Sequence, residues 1–342
     1  ILYRGPRVYI DNIMWDVSTI RFIGQNREKT VLKLDDRCDG FQNKNQPKIV
    51  LAYQHPETNF NNGVASNELR NLTIDTGKGN PGAVALQFQG ANRTQMYNVQ
   101  LISPDGIGSY GIWINKHCLQ GYYHDITIKG FDYGMYFPVT YDSEGTRNVA
   151  LSHSSWEYIT IRDQNIGGIK VDVGGLSLRK LLSLQKKSNV PGLVLDDEGP
   201  YVALLDGDFR NVDNSETAIK LTRDEKQCLF ARNIKVSGYS TMITQAGIPE
   251  IDTEHLDEYV NYTVRSLRKN QRKSSLNLPI EDTPLVPRFD TENEWANVHD
   301  YGAIGDGNHD DTQAVQKAMD SGKPVVYFPA KEYSLSTITV PA

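Results

Sequence analysis

The sequence predicts an all-β chain wound as a right-handed parallel β-helix, and three observations carry that prediction. Short β-type runs recur at a nearly constant period, a second series of runs interleaves with the first, and both are bounded by Gly, Asn, Asp and Pro. The first series is NLTI from Asn71, NVQL from Asn98, DITI from Asp125, YITI from Tyr158, KLLS from Lys180, DGDF from Asp206 and NIKV from Asn233, spaced by 27, 27, 33, 22, 26 and 27 residues. The second opens on a small residue: Gly82-Ala83-Val84-Ala85-Leu86, Gly111-Ile112-Trp113-Ile114, Gly134-Met135-Tyr136-Phe137, Gly168-Ile169-Lys170-Val171, Gly192-Leu193-Val194-Leu195 and Ala218-Ile219-Lys220-Leu221. A leucine-rich repeat has a similar period but needs an L-x-x-L-x-L pattern, which is absent.

A coil of this length buries its inward side chains only when the next coil stacks on it, so each series becomes a parallel sheet. Leu72, Val99, Ile126, Ile159, Leu181 and Ile234 then form an inward apolar ladder, while Thr73, Gln100, Thr127 and Thr160 point out. Gly207 and Ser183 interrupt the pattern, and the stretches from Ile20 and from Thr30 supply earlier coils. Residues 1–248 therefore read as one β-helix. Residues 249–294 are polar and charged, and the expectation is a connector without regular structure. From Trp295 the chain reads as the start of a second β-helix, 295–342. There Asp310 or Asp311 caps a helix with Ala314, Val315, Ala318 and Met319 on its apolar face, Gly322 ends it, and a strand follows from Val325. Asp306, Asp310 and Asp311 are read as turn and cap rather than as a metal or acid/base cluster.

Composition narrows the function classes. The net charge of −6 argues against a nucleic-acid partner, and the apolar runs are too short for a membrane helix. Cys38, Cys118 and Cys228 stand far apart, with neither CxxC nor paired-His spacing, so no metal site, cofactor or disulfide framework is expected.

The stretch DYGAIGDGNHDDTQAVQKAMDSGKPVVYFPAKEYSLS, from Asp300, resembles the opening motif of pectate-lyase-type (pectin-lyase-like) β-helices. Its position after a complete β-helix resembles the layout of family 55 glycoside hydrolases, exo-acting β-1,3-glucanases built from two tandem β-helices. The resemblance implies a secreted enzyme, extracellular or periplasmic, whose partners are a polysaccharide or oligosaccharide and the second β-helix of the same chain. It places the general acid, a glutamate, beyond Ala342, and implies that this chain is a truncated piece lacking the first helix's own opening motif. It also implies that glutamines of the first helix hold water, in a segment resembling ALHWQVAQ. Here that segment is Ala85-Leu86-Gln87-Phe88-Gln89-Gly90-Ala91-Asn92, with Gln89 at the first Gln, Asn92 at the second and Gln87 in place of His. An outward Gln ladder is the plainer alternative.

Other candidates rest on position. Glu157 beside Trp156, Asp206 with Asp208 two residues on, and the turn Asp196-Asp197-Glu198 each suit a groove, and Asp206 and Asp208 would share a strand face. Trp113, Tyr122, Tyr123 and Trp156 suit stacking against sugar rings or, equally, filling coil corners. Three functions follow as expectations: the glycoside hydrolase, a polysaccharide lyase acting on uronate polymers, or a non-catalytic carbohydrate-binding or tailspike-like β-helix.

Overall fold

The computed structural model describes residues 2–3, 7–10, 13–15, 20–53, 65–88, 90, 93–115, 118–119, 121–141, 147–148, 151–152, 154–197, 199–212, 214, 216–223, 226–264, 271–272 and 292–340. It divides into two compact units, 1–280 and 281–342.

The first unit is a right-handed parallel β-helix. All seven runs of the first series lie in one sheet, here sheet A, as the strands Glu68–Asp75, Thr94–Ile102, Gly121–Lys129, Ser154–Arg162, Gly174–Leu184, the pair Pro200–Leu205 and Asp208–Arg210, and Cys228–Ser237. The second series forms sheet B, whose strands include Ala83–Phe88, Gly108–Trp113, Phe131–Phe137, Gly167–Val171, Leu193–Leu195, Thr217–Leu221 and Thr241–Gln245. The earlier stretches also join sheet A, with Phe22 opposite Leu69 and Leu32 opposite Ile74.

The first residue of every run in the first series has a left-handed backbone: Asn71, Asn98, Asp125, Tyr158, Lys180, Asp206 and Asn233 have φ between 52 and 57°. A period of two would turn Leu72 outward when Leu69 is inward. One left-handed residue resets the phase, so Leu69 and Leu72 are both fully buried, as are Met96 and Val99 one coil on. The left-handed region costs an ordinary L-residue roughly 1–2 kcal/mol, and Asn and Asp tolerate it best. Their side chains also link coils, with Asn98 Nδ2 donating to Asn71 Oδ1 at 2.8 Å and Asn233 Nδ2 to Asp206 Oδ1 at 2.7 Å. Asn98→Val is expected to cost about 1–2 kcal/mol from the backbone alone. Asn98→Gly, which keeps the conformation and loses only the hydrogen bond, should cost less, and urea midpoints of the two variants measure the difference.

The two positions that interrupt the sequence pattern keep register. Ser183 lies between Ile161 and Phe209 in an inward ladder and accepts from Gln185 Nε2 at 3.1 Å, while Gly207 is buried beside Phe209 and Ile234. One alignment is corrected. Val84 pairs with Tyr110 and Leu86 with Ile112, so the first run of the second series begins at Ala85, not Gly82.

The expectation of a connector mainly without regular structure in 249–294 meets paired strands at its start, while 265–270 and 273–291 lie outside the described residues. The strand Ile248–Ile251 runs antiparallel to Thr241–Gln245, and His255–Val260 runs antiparallel to Cys228–Ser237. The last coil would otherwise leave a row of unpaired N–H and C=O groups on each sheet, and these reversals cover them.

In the second unit, the helix Thr312–Met319 buries Val315 and Ala318 against Ala296, Val298 and Ala303. Asp306 Oδ1 accepts from the amides of Asn308 and His309, and Asp310 Oδ1 from that of Thr312. Asp311, fully buried, holds the N-cap position and accepts the Val315 amide through its carbonyl, while its side chain accepts from the amides of Ile304 and Gly305. All three thus serve turns and the helix start. The helix C-cap is Asp320, and the left-handed Gly322 follows two residues later.

Candidate functional site

The outer face of sheet B carries two stacked rows. Strand pairing places Gln87, Trp113, Tyr136, Lys170, Val194, Lys220 and Thr244 side by side on successive coils. Two residues further along each strand come Asn115, Pro138, Asp172, Asp196 and Thr222, tied across coils by backbone bonds such as Asp172 N–H to Phe137 O and Asp196 N–H to Val171 O, both 2.9 Å.

At the centre of this face Lys170 Nζ lies 3.4 Å from Asp172 Oδ1 and 3.0 Å from Asp196 Oδ2, so one ammonium bridges carboxylates of adjacent coils. Tyr136 donates its hydroxyl to Asp172 Oδ2 at 2.8 Å, and Thr222 donates to Asp196 Oδ1 at 2.7 Å. The two carboxylates are driven apart in acidity. Burial of Asp172 outweighs the help of Tyr136 and Lys170 and raises its pKa. Burial also acts upward on Asp196, but its bonds from Thr222, Lys170 and the Asp197 amide prevail and lower its pKa. For Lys170, burial acts downward and the two carboxylates overcome it, so the amine is held charged. Two carboxyl groups with opposed shifts are the pattern of a general acid set beside a general base.

Aromatic rings flank the pair. Tyr110 lies against Trp113 at 5.7 Å, Tyr136 at 5.2 Å and Tyr133 at 6.3 Å, and Lys170 sits 5.3 Å from the Tyr136 ring centre. All four rings are partly exposed, a half-open shelf of the kind that receives sugar rings. Three buried polar atoms on this face, Gln87 Oε1, Trp113 Nε1 and Thr244 Oγ1, have no hydrogen-bond partner, and Asp172 Oδ1 has the Lys170 ion pair alone. Such orphans are rare in native proteins and tend to gather at functional sites.

The residues expected from sequence divide between faces. Gln87 belongs to this site and hydrogen-bonds Asn115. Gln89 and Asn92 lie outside the described residues, as does Glu198. Asp196 and Trp113 are brought together here. Trp156 is corrected: it is 1% exposed, packs on Tyr123 at 4.1 Å and donates to Ser154, because position 156 continues the inward ladder of Met96 and Tyr123. Glu157 and Asp206 project from sheet A instead, joined through Arg179, whose nitrogens lie 4.0 Å from Glu157 and 3.7 Å from Asp206. Asp206 and Asp208 engage different cations rather than each other. The strand breaks at left-handed Asp206, and Asp208 instead holds Arg210 by two bonds of 2.6 and 3.0 Å. Lys170, Asp172 and Tyr136 were not foreseen. The signal for the carboxylates was present, since extending the runs by one residue gives Gly168-Ile169-Lys170-Val171-Asp172 and Gly192-Leu193-Val194-Leu195-Asp196 in register.

The sequence model of the rhamnogalacturonase A/epimerase, pectate-lyase-like family matches residues 10–171 and 295–339, more than half of the chain. The chain belongs to that family. Its β-helix is thus the scaffold of a carbohydrate-active family, and the second matched segment includes most of the opening motif that starts at Asp300. A shorter likeness reaches "Plasmin and fibronectin-binding protein A" of Streptococcus pneumoniae (strain ATCC BAA-255 / R6), 40% identical over 85 residues. That stretch is 23% of this chain and 12% of the pneumococcal protein, so the chain spans a small part of this relative.

Proposed function

We propose that the sheet B face cleaves a polysaccharide by glycoside hydrolysis, with Asp172 as general acid and Asp196 as general base. The observation that carries this reading is the pair of carboxylates on adjacent coils whose pKa values are pushed in opposite directions beside an aromatic shelf. Protonated Asp172 gives its proton to the glycosidic oxygen as the C1–O bond breaks. Asp196 takes a proton from the water that adds to C1, which leaves both groups exchanged and ready for reset by solvent. Lys170 orients both carboxylates, and Gln87 holds water or a sugar hydroxyl. Tyr110, Trp113 and Tyr136 carry the sugar rings.

The protonation states set the pH profile. Activity rises as Asp196 ionises at its lowered pKa and falls as Asp172 loses its proton at its raised one, so the expected profile is a bell on the acid side of neutrality. Reducing-end release against pH measures it, and a rate that climbs steadily through neutral pH would reject Asp172 as the acid.

The resemblance to exo-β-1,3-glucanases makes laminarin one substrate to assay, and the family description adds rhamnogalacturonan and polygalacturonate. Hydrolysis of any of these by the full-length protein supports the reading, and release of unsaturated uronate products would replace it with a lyase. The resemblance also places an acid in a second helix, and the family match at 295–339 supports a pectate-lyase-like opening segment there. A cleaving protein insensitive to Asp172 substitution would favour that arrangement. A non-catalytic, protein-binding β-helix is favoured by the likeness to the pneumococcal plasmin and fibronectin-binding protein. Capture of plasmin or fibronectin by the immobilised chain, with no cleavage of the three polymers, would establish it instead.

A further inference from the structure

We propose that the corner at which sheet A ends is a docking surface for a linear phosphate polymer, a function separate from the hydrolytic face. Consecutive coils finish their sheet A strands there at Lys129, Arg162 and Leu184, with Lys129 paired to Arg162 and Arg162 to Leu184. The residues that follow turn the corner and include Asp163, Asn165, Lys186 and Lys187. Lys129 Nζ, Arg162 Nε and Lys186 Nζ converge on the Asp163 carboxylate at 4.0, 3.5 and 3.2 Å, and Lys187 Nζ donates to Asn165 Oδ1.

Charge sets this corner apart from the rest of the chain. The sequence carries −6, yet among the described residues Asp163 is the carboxylate that Lys129, Arg162 and Lys186 share, and Lys187 adds a further cation beside it. The flanking carboxylates have partners of their own: Lys44 holds Asp132 at 2.6 Å, Arg210 holds Asp208 by two bonds, and Asp105 accepts the Gly79 amide at 2.6 Å. Asp163 does not use up the donors around it. Among the described residues none of its three cations gives it a hydrogen bond, and Arg162 Nε is buried with no hydrogen-bond partner. The three cationic side chains are 40–65% exposed, so their remaining N–H groups are open to a ligand. A local surplus of cations with unused donors in an acidic protein selects an anion.

The arrangement of the cations indicates phosphate. Neighbouring coils stand about 4.8 Å apart, so charges from three coils surround one point from different directions. That suits a tetrahedral anion with several acceptor oxygens, and Lys binds phosphate as a point charge without needing the planar fork that matches a carboxylate. The outward row Lys129, Arg162, Leu184 and Arg210 and the neighbouring row Thr127, Thr160, Leu182 and Asp208 hold no aromatic side chain. Neither a sugar face nor a nucleic-acid base therefore finds a ring to stack on. Exposed charges contribute little singly, and a chain of linked phosphates engages successive coils at once, which makes the ligand a polymer rather than a single ion.

The test is calorimetric titration of the full chain at low salt with inorganic polyphosphate and, separately, with poly(glycerol phosphate), using polygalacturonate and oligodeoxyadenylate as comparators. At least one phosphate polymer is expected to bind, the tighter of the two identifying the source of the phosphate, with polygalacturonate at least tenfold weaker and the oligonucleotide no tighter. Affinity should fall as NaCl is raised, because each phosphate contact releases counterions. The double variant Lys129→Gln/Lys186→Gln changes two exposed side chains and should weaken binding tenfold or more, flatten the salt dependence and leave polysaccharide cleavage unchanged. Asp163→Asn keeps a residue that tolerates the left-handed backbone at φ 59° and removes the shared carboxylate, so it should tighten binding several-fold. Far-UV circular dichroism checks that each variant is folded. Failure of both phosphate polymers to bind, equal affinity for polygalacturonate, tighter binding of the oligonucleotide, full affinity in the double variant, or weaker binding in Asp163→Asn would each overturn the proposal.

Discussion

Replacing Asp172 by Asn is expected to lower polysaccharide cleavage by roughly 10²–10⁴-fold while leaving the fold in place, since positioned acid/base groups contribute about that much. Asn is nearly isosteric and neutral, as the buried Asp172 is when it acts as acid, so the packing around Tyr136 and Lys170 changes little. Asp196→Asn removes the proton acceptor and should give a loss of similar size. The two differ in pH behaviour. Without Asp172 the fall in rate on the alkaline side should vanish from the residual activity, and without Asp196 the rise on the acid side should vanish. Rates across pH for both variants, with thermal unfolding as a control, make this measurement. If either variant retains full activity at the optimum, the carboxylate pair is a structural ion-pair network on a β-helix face and the chemistry lies elsewhere.

Trp156→Ala is expected to destabilise the β-helix by about 3–5 kcal/mol, the usual cost of emptying a large aromatic site in a core. Trp156 fills the coil interior between Tyr123 and Phe137, and its indole N–H is satisfied internally by Ser154. Each coil is stabilised mainly by its neighbours, so the cavity also weakens the stacking of the coils on either side. A urea titration followed by far-UV circular dichroism reads the effect as a lowered midpoint. Were Trp156 a sugar-stacking residue, saccharide affinity would fall with the midpoint unchanged, and that result would contradict its buried position.

These two residues mark where the sequence was legible. The repeat exposed the fold because stacked coils must present apolar side chains at the same position in every turn. Leu72, Val99, Ile126 and Ile159 therefore recur visibly despite irregular spacing. The Asn and Asp at the head of several runs recorded a second requirement, one left-handed residue per coil, although their role was not read from the letters alone. Trp156 was ambiguous because an aromatic at a strand position fits an inward or an outward row equally well. Only its pairing with Tyr123 fixed the direction.

The candidate site was less legible. Gln87 emerged through a short resemblance, and Asp196 and Trp113 as isolated possibilities, while Lys170 stood only as one member of a strand run. Their meeting depends on register between coils of unequal length. Tyr136 and Lys170 are 34 residues apart, Lys170 and Asp196 only 26, and a shift of one residue would turn any of them into the core.

The sequence by itself determined the β-helix, the residues of its inner ladders and the family-like opening motif from Asp300, because burial and turn chemistry constrain residue type at every coil. The tertiary structure alone decided which outward residues become neighbours and what their environment does to them. Asp172 and Asp196 carry the same side chain, yet one is more deeply buried beside Tyr136 and Lys170, and the other receives bonds from Thr222, Lys170 and a backbone amide. Desolvation and hydrogen bonding act through distances of a few ångströms across coils, and those distances exist only once the coils have stacked.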